Sequence, residues 1–536
     1  MAAACSSTIQ SSPPIVIRVN QVGFEPDAPK NAIILSKFNL QDKYFEILDS
    51  QSHKSLMKTK LGFSTGPYAN FPFSYSIDFS DFFTEGKYLV SVNDFFSPGF
   101  EIKKGPYKNI VNSLLTFFKV QRCGYTDPYL HEICHKADVT HLIENGIRID
   151  TTVDVTGGWH DAGDYVKFLN TTAYATYTLL FAYEFNPDFF NFDDNNDDVP
   201  DILEEAKIGL DWLLRCNFDK YKLITQVQDL RDHEVGWRLP ENDTLQFDRP
   251  GFVGIGKNLI GIYSATLAMG SRIWRQKFMA DDFADNCLTA AENIYSLRIT
   301  APDIDSSTTG VYQDNSFWGK LALGAVELYK TTNRPDLLKD AKSYADSSGP
   351  DFWWSYGEIT DYAFYRLSEY DKKYTDLIEA SLKHFVKNMN KNLFRQSADL
   401  YWGSNNTTLG IALKNILWKR ITGSKKYDEL SANQINYILG QNPWGISFIS
   451  GVGQNFSKKL HHQISKILKK ELTGGFAAGP VKKSILQSYN IPYSGIDKFK
   501  DYQTDEAFYR DDFNDYITNE PTISANATGI FVFGSF

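Results

Sequence analysis

A chain of 536 residues is too long for one ordinary domain and long enough to bury a large core. It has 42% hydrophobic and 22% charged residues, a formal charge of −10, a pI near 5.5 and no basic run. These values exclude nucleic acid and anionic membranes as partners, favour a neutral substrate, and come with no apolar run near the roughly 18 residues of a spanning helix.

In chain order, residues 1–13 read as a flexible tail with no apolar signal segment. Cys5, followed by two serines, reads either as the lipid-bearing first residue of a mature bacterial lipoprotein or as an incidental cysteine. The expectation is an exported protein (secreted, periplasmic or lipid-anchored) without its signal, acting as a monomer. Residues 14–104 carry short β-rich runs at Ile15–Asn20, Asn31–Ser36, Tyr44–Asp49, Phe71–Phe79 and Lys87–Val92. Turn-rich pieces separate them, which predicts an antiparallel β-sandwich.

After Gly105-Pro106 the hydrophobic period becomes helical, and residues 105–536 read as an all-α domain. Leu203, Ala206, Leu210 and Leu213 share a stripe in Asp201–Leu214. Phe317, Leu321, Ala325 and Leu328 do so in Asp314–Lys330, and Thr407–Thr422 ends at a capping Gly423. About a dozen helices of typical length ~11–12 residues fit the domain. They can nest as hairpins with loops gathered at one end. The stretches 124–165, 216–250 and 441–520 exceed ordinary connections and are rich in aromatics, His and carboxylates, which marks them as functional.

The densest motif is Gly157-Gly158-Trp159-His160-Asp161-Ala162-Gly163-Asp164-Tyr165. Two carboxylates three residues apart, among glycines that permit tight turns, can share the activation of a water. A calcium loop or a polar turn fits the same spacing. Cys216 and Cys287 lie in apolar helical stretches and read as buried small hydrophobes.

The motif resembles the Asp-Ala-Gly-Asp signature of the family 9 glycoside hydrolases, inverting cellulases. Asp512-Phe513-Asn514-Asp515-Tyr516-Ile517-Thr518-Asn519-Glu520-Pro521 resembles that family's second motif, and Ile17-Arg18-Val19-Asn20-Gln21-Val22-Gly23-Phe24 resembles the start of its immunoglobulin-like module. The resemblance implies an Ig-like sandwich before an (α/α)6 barrel with an open cleft. It implies hydrolysis of β-1,4-glucans (cellulose, cello-oligosaccharides, mixed-linkage glucan or xyloglucan), with Asp164 as base, Asp161 holding the water and Glu520 as acid. Exo-acting glucosaminidases on chitosan oligosaccharides and non-catalytic carbohydrate-binding relatives are the alternatives.

His461-His462 resembles the family's His-His-Arg segment, which implies substrate contact, and Tyr165 is expected to join it beside the base. Gln463 stands where Arg is usual, and Ala525 where many members carry Tyr. Trp159, Trp237, Trp354, Trp402 and Trp444 are candidates for sugar stacking, each with core packing as the alternative.

Two metal sites are expected. Asp193, Asn195, Asp197, Val199 (carbonyl), Asp201 and Glu204 follow EF-hand-like spacing with Asp198 in place of glycine, and the resemblance implies a structural calcium there. An acidic turn capping the next helix is the other reading. Cys123, Cys134, His135 and His160 can close a tetrahedral zinc site, which the resemblance also implies; a Cys123–Cys134 disulfide competes.

Overall fold

The computed structural model describes residues 12–228, 230–307, 314–493 and 495–536. Cys5 and residues 1–11 of the expected tail lie outside them. At its described end, the Ser12 hydroxyl donates to Asp501.

Nine strands come first: β1 (Ile15–Arg18), β2 (Gly23–Phe24), β3 (Asn31–Ser36), β4 (Tyr44–Asp49), β5 (Ser55–Lys60), β6 (Phe73–Asp78), β7 (Gly86–Val92), β8 (Phe95–Phe96) and β9 (Phe100–Ile102). One sheet runs β1-β3-β6 and the other β2-β9-β7-β4-β5, with β8 on β7. Their pairings are antiparallel save for β2 with β9, which run parallel where the chain re-enters beside the opening motif. β3 is buried along Ala32–Ser36 because its two faces serve two cores. Ala32 and Ile34 face the sandwich interior, whereas Ile33 and Leu35 join the core of the helical domain. Each of these isoleucine and leucine side chains contributes about 1.5–3 kcal/mol by leaving water.

The opening motif docks the two parts. Arg18 Nε donates to Pro443 O at 3.1 Å, Asn20 Nδ2 to Asn436 Oδ1 at 3.0 Å, and Gln21 Nε2 to Gly445 O at 2.9 Å. Phe71 stacks on Tyr502 with centroids 5.5 Å apart.

Among the described residues, twelve helices have eight residues or more. They are α1 (Lys108–Gln121), α2 (Leu169–Phe185), α3 (Asp201–Cys216), α4 (Lys257–Phe278), α5 (Asp281–Tyr295), α6 (Trp318–Thr332), α7 (Pro335–Ser348), α8 (Thr360–Leu367), α9 (Lys373–Met389), α10 (Ser404–Thr422), α11 (Asp428–Ile438) and α12 (Ile523–Phe533). The even-numbered helices pack each on the next, and α12 returns to α2. α2 and α12 are apolar nearly all round and buried along almost their whole length. α7 buries only Leu337, Ala341 and Ala345, one stripe of an outer helix. Gly423 caps α10 at φ 67°, with its N–H on Lys419 O at 2.8 Å. Asp314 does not begin α6, which starts at Trp318; its carboxylate instead pairs with Lys320 in the interior.

The long loops carry a sheet that the helical period did not reveal. Its strands are β10 (His141–Glu144), β11 (Ile147–Ile149), β12 (Lys167–Phe168), β13 (Leu223–Val227) and β14 (Pro250–Gly254), in the order β11-β10-β14-β13-β12. This sheet fixes the loops 124–165 and 216–250 beside each other.

Candidate active site

The Gly157–Tyr165 segment is pinned by its backbone. His160 N donates to Gln121 O at 2.8 Å, Asp161 N to Val166 O at 2.9 Å, and Ile523 N to Asp161 O at 3.0 Å, which ties the segment to α12. Gly163 has no room for a side chain: a Cβ there would sit 2.2 Å from His461 O and 3.1 Å from Glu520 Oε1. That close approach lets the segment touch the far end of the chain.

Glu520 follows the one-turn helix Tyr516–Asn519, whose cap Asp515 accepts from Ile517 N at 3.0 Å and Thr518 N at 2.9 Å. Gly163 N donates to Glu520 Oε1 at 3.2 Å. Asp164 and Glu520 therefore line one open cleft of about 580 Å³, together with Gln228, His233, Trp237, Trp402, His461, Gln463 and Tyr516. Asp161, on the same segment, is buried at 1% exposure and is not among the residues that line the cleft.

The carboxyls of the cleft hold protons tightly. Burial pushes Asp164 up to about 6, with help from the charge of Asp232, while His233 opposes. Glu520 is pushed well above the ordinary range, by burial first and then by Asp164. Asp164 Oδ1 accepts from Val166 N at 3.3 Å.

His461 reaches the cleft. Its Nδ1–H donates to Phe513 O at 2.6 Å, its ring meets Trp237 edge-on with centroids 5.0 Å apart, and burial lowers it to about 4. His462 and Tyr165, expected as substrate contacts, are buried and not among the residues that line the cleft. His462 is extended (φ −155°, ψ 129°), so it projects opposite to His461, and its Nε2–H donates to Gln121 Oε1 at 2.7 Å. The Tyr165 hydroxyl donates inward to Arg238 O. Gln463 holds the scaffold: its N–H donates to Gly163 O at 3.1 Å, and its Oε1 accepts from Arg238 N at 2.9 Å. Ala525 is buried in the helical core.

Of the tryptophans, Trp237 and Trp402 border the cleft, and Trp402 packs with Tyr516 and Tyr489 at centroid distances of 5.7 and 5.8 Å. Trp159, Trp354 and Trp444 are core, their Nε1–H groups satisfied by Glu205, Tyr174 and Gln503. Sequence reasoning missed Asp232, His233 and Gln228. The available signal was the adjacent acid and imidazole in the long 216–250 loop.

Cys123, Cys134, His135 and His160 gather with one donor atom each within 4.8 Å of the others, all buried. Cys123 Sγ lies 3.7 Å from His135 Nδ1, Cys134 Sγ 3.9 Å from His160 Nε2, and the two nitrogens 3.2 Å apart. Both cysteines are free thiols. Burial lowers His160 to about 4, keeping it neutral, as a ligand must be. Burial works against the Cys123 thiolate, but the Cys134 hydrogen bond, Lys167 and His160 outweigh it and hold this thiol well below its usual value.

The acidic loop is curled by its own carboxylates. Asp193 accepts from Asn196 N at 2.7 Å and Asp198 N at 2.9 Å, and Asn195 Nδ2 donates to Glu204 Oε1 at 2.7 Å. Asp201 instead accepts from Asp194 N at 3.0 Å, and Asp197 from Val199 N at 2.9 Å. Asp198 takes φ 69°, the left-handed conformation that glycine supplies in such loops. Among the described residues, these side chains do not form a three-donor His/Cys/Asp/Glu cluster of the tightness seen at Cys123.

The chain is similar to a cellodextrinase of Butyrivibrio fibrisolvens, 25% identical over 487 residues, spanning 83% of this chain and 86% of that protein. It is 24% identical over 587 residues to a xyloglucan-specific endo-β-1,4-glucanase of Bacteroides ovatus, spanning 98% and 94%. The crystal structure of a metagenome-derived glycoside hydrolase family 9 endoglucanase superposes with a TM-score of 0.83, at 24% identity, over 97% of this chain and 99% of that one. Residues 12–97 match the model of the cellulase N-terminal Ig-like domain. Because residues 107–533 match the model of glycosyl hydrolase family 9 and carry the converging carboxyls, the chain belongs to that family.

Proposed function

We propose that this chain hydrolyses β-1,4-glucosidic bonds in β-glucans with inversion at the anomeric carbon. The observation that carries the reading is the 3.2 Å hydrogen bond from Gly163 N to Glu520 Oε1, which brings the acid to the segment of the base across 357 residues. Asp164 takes a proton from water as that water attacks C1, with Asp161 orienting it. Glu520, kept protonated by burial, donates to the departing oxygen. Inversion uses an acid–base separation of roughly 6.5–9.5 Å, which leaves space for the water. His461, Trp237 and Trp402 contact the sugars. Family membership and relatives that act on cellodextrins and xyloglucan support the substrate class.

The returning circuit of even-numbered helices supports an (α/α)6 barrel over 105–536, with the sandwich over 14–104 as its buttress. The Cys123, Cys134, His135 and His160 donors fit zinc in number, type and spacing. Bound there, zinc would cross-link the 123–135 loop to the catalytic segment. The curled loop with its left-handed Asp198 supports a structural calcium held by Asp193, Asn195, Asp197, the Val199 carbonyl, Asp201 and Glu204.

Reducing-end release from carboxymethylcellulose and xyloglucan, with the first-formed anomer followed by NMR, tests the reading. Initial α-anomer that disappears in Asp164→Ala and Glu520→Gln is expected. Wild-type turnover in folded Asp164→Ala overturns it.

A further inference from the structure

A buried chain of side chains runs from the Cys/His cluster to the base. His135 turns Nδ1 toward the cluster and Nε2 toward Asp243 Oδ2, 3.1 Å away. Asp243 Oδ1 accepts from Arg238 Nε at 2.7 Å and from Leu245 N at 2.9 Å. The other arm of Arg238 pairs with Asp232 Oδ1, and Asp232 Oδ2 accepts from Tyr165 N at 3.2 Å, next to Asp164. Every member is buried, and Asp243 is fully so.

We infer that Asp243 is a positioning residue with two roles: it fixes the His135 tautomer for the metal cluster and, through Arg238 and Asp232, sets the charge beside Asp164. The inference rests on Asp164 being the base. A carboxylate only accepts, so His135 must carry its proton on Nε2, and the Nδ1 lone pair must face the cluster. Both Asp243 oxygens accept, Oδ2 from His135 and Oδ1 from Arg238 Nε and Leu245 N, an arrangement that suits a carboxylate with no proton of its own. The planar guanidinium then bridges two carboxylates, which lysine could not do in one fork.

The electrostatic consequence has a sign. Asp243, Arg238 and Asp232 sum to one negative charge beside Asp164. Asp161 on its own segment adds to it, His233 opposes, and Glu520 across the cleft, being protonated, adds no charge. Removing the Asp243 charge makes Asp164 easier to ionise. Removing the Arg238 charge makes it harder.

The test measures kcat/KM against pH on carboxymethylcellulose and zinc retained by the purified protein after dialysis against a chelator. Asp243→Asn should move the acidic midpoint down by about half a pH unit or more and weaken zinc retention about 10–100-fold. Its amide N–H would face His135 Nε2 and favour the wrong tautomer. Arg238→Gln should move the midpoint up while retaining zinc better than Asp243→Asn. Midpoints that stay put or move together, or Asp243→Asn holding zinc like the wild type, overturn the inference. If Asp243→Asn does not fold, Arg238→Gln decides alone: an upward midpoint supports the inference and an unchanged one ends it. Asp164→Asn separates the two claims. If it is inactive while both other variants keep wild-type profiles, only the positioning role fails; if it is active, the reading of the base fails.

Discussion

His233 Nδ1 stands 3.4 Å from Asp164 Oδ2, and both residues line the cleft. In the proposed role of base Asp164 acts ionised, so with its proton affinity raised to about 6, kcat/KM should fall as pH drops through about 6. In the proposed role of acid Glu520 acts protonated, so its raised affinity should set the alkaline limb above the ordinary carboxylate range. The protonated imidazole favours Asp164 as carboxylate, so His233→Ala should shift the acidic limb to higher pH. A pH–rate profile of wild type and variant checks both; a limb displaced to lower pH contradicts the pairing.

The same raised affinities make the cleft a site of stored instability. Asp164 binds its proton more tightly folded than unfolded, so its stability contribution is intact below pH about 3.8 and is lost as pH rises through about 6. Asp164→Asn, which keeps the shape without the charge, should be stabilised by about 1–2 kcal/mol at pH 7 and inactive. At pH 3.5 the difference should vanish. Thermal melts at both pH values decide it, and equal stability at pH 7 would count against burial as the cause.

Much of this was legible in the sequence because the informative residues were local. The Asp161 and Asp164 pair, the stripe from Leu203 to Leu213, and the strands Asn31–Ser36 and Tyr44–Asp49 need no distant partner to be read. β5 was not legible, since Ser55–Lys60 is an exposed edge strand with no apolar alternation. Neither was the sheet β10–β14, whose short strands find partners more than a hundred residues away, as His141 does with Pro250. The burial of His462 and Tyr165 was not legible either, because adjacency to a cleft residue says nothing of which face the next side chain takes. The tryptophans divided by burial, which composition cannot supply.

Gly163 is the position where the smallest change should cost most. A Cβ 2.2 Å from His461 O forces the backbones of both motifs apart. Gly163→Ala should therefore lower kcat by about 100-fold, as expected for a displacement near 1 Å at the reacting groups. It should also lower the melting temperature. Kinetics within twofold of wild type would show that the approach is not needed.

Metal removal should act on stability before chemistry. Cys134→Ser or chelation should lower the melting temperature by several degrees and leave kcat per folded molecule within about threefold, because zinc on the four donors would cross-link the 123–135 loop to the segment holding His160. Elemental analysis should find one zinc per chain, lost in Cys134→Ser, and one calcium, lost when Asp193 and Glu204 are both changed to Ala. Protein purified without chelator that contains neither metal refutes both assignments.

The two cleft tryptophans should fail differently when truncated. Trp402 leans on Tyr516 and Tyr489, so Trp402→Ala should remove stacking area alone. An aromatic contact of about 0.5–1.5 kcal/mol predicts KM rising roughly 2–10-fold with kcat nearly constant. Trp237 also braces the His461 ring and carries Lys466 Nζ 4.2 Å above its own face. Because His461 O lies against Gly163, loosening that ring reaches the catalytic segment. Trp237→Ala should lower kcat as well as raise KM, and Trp237→Phe, which restores an edge for His461, should recover kcat before KM. Identical kinetic signatures for the two alanine variants would show that Trp237 only stacks.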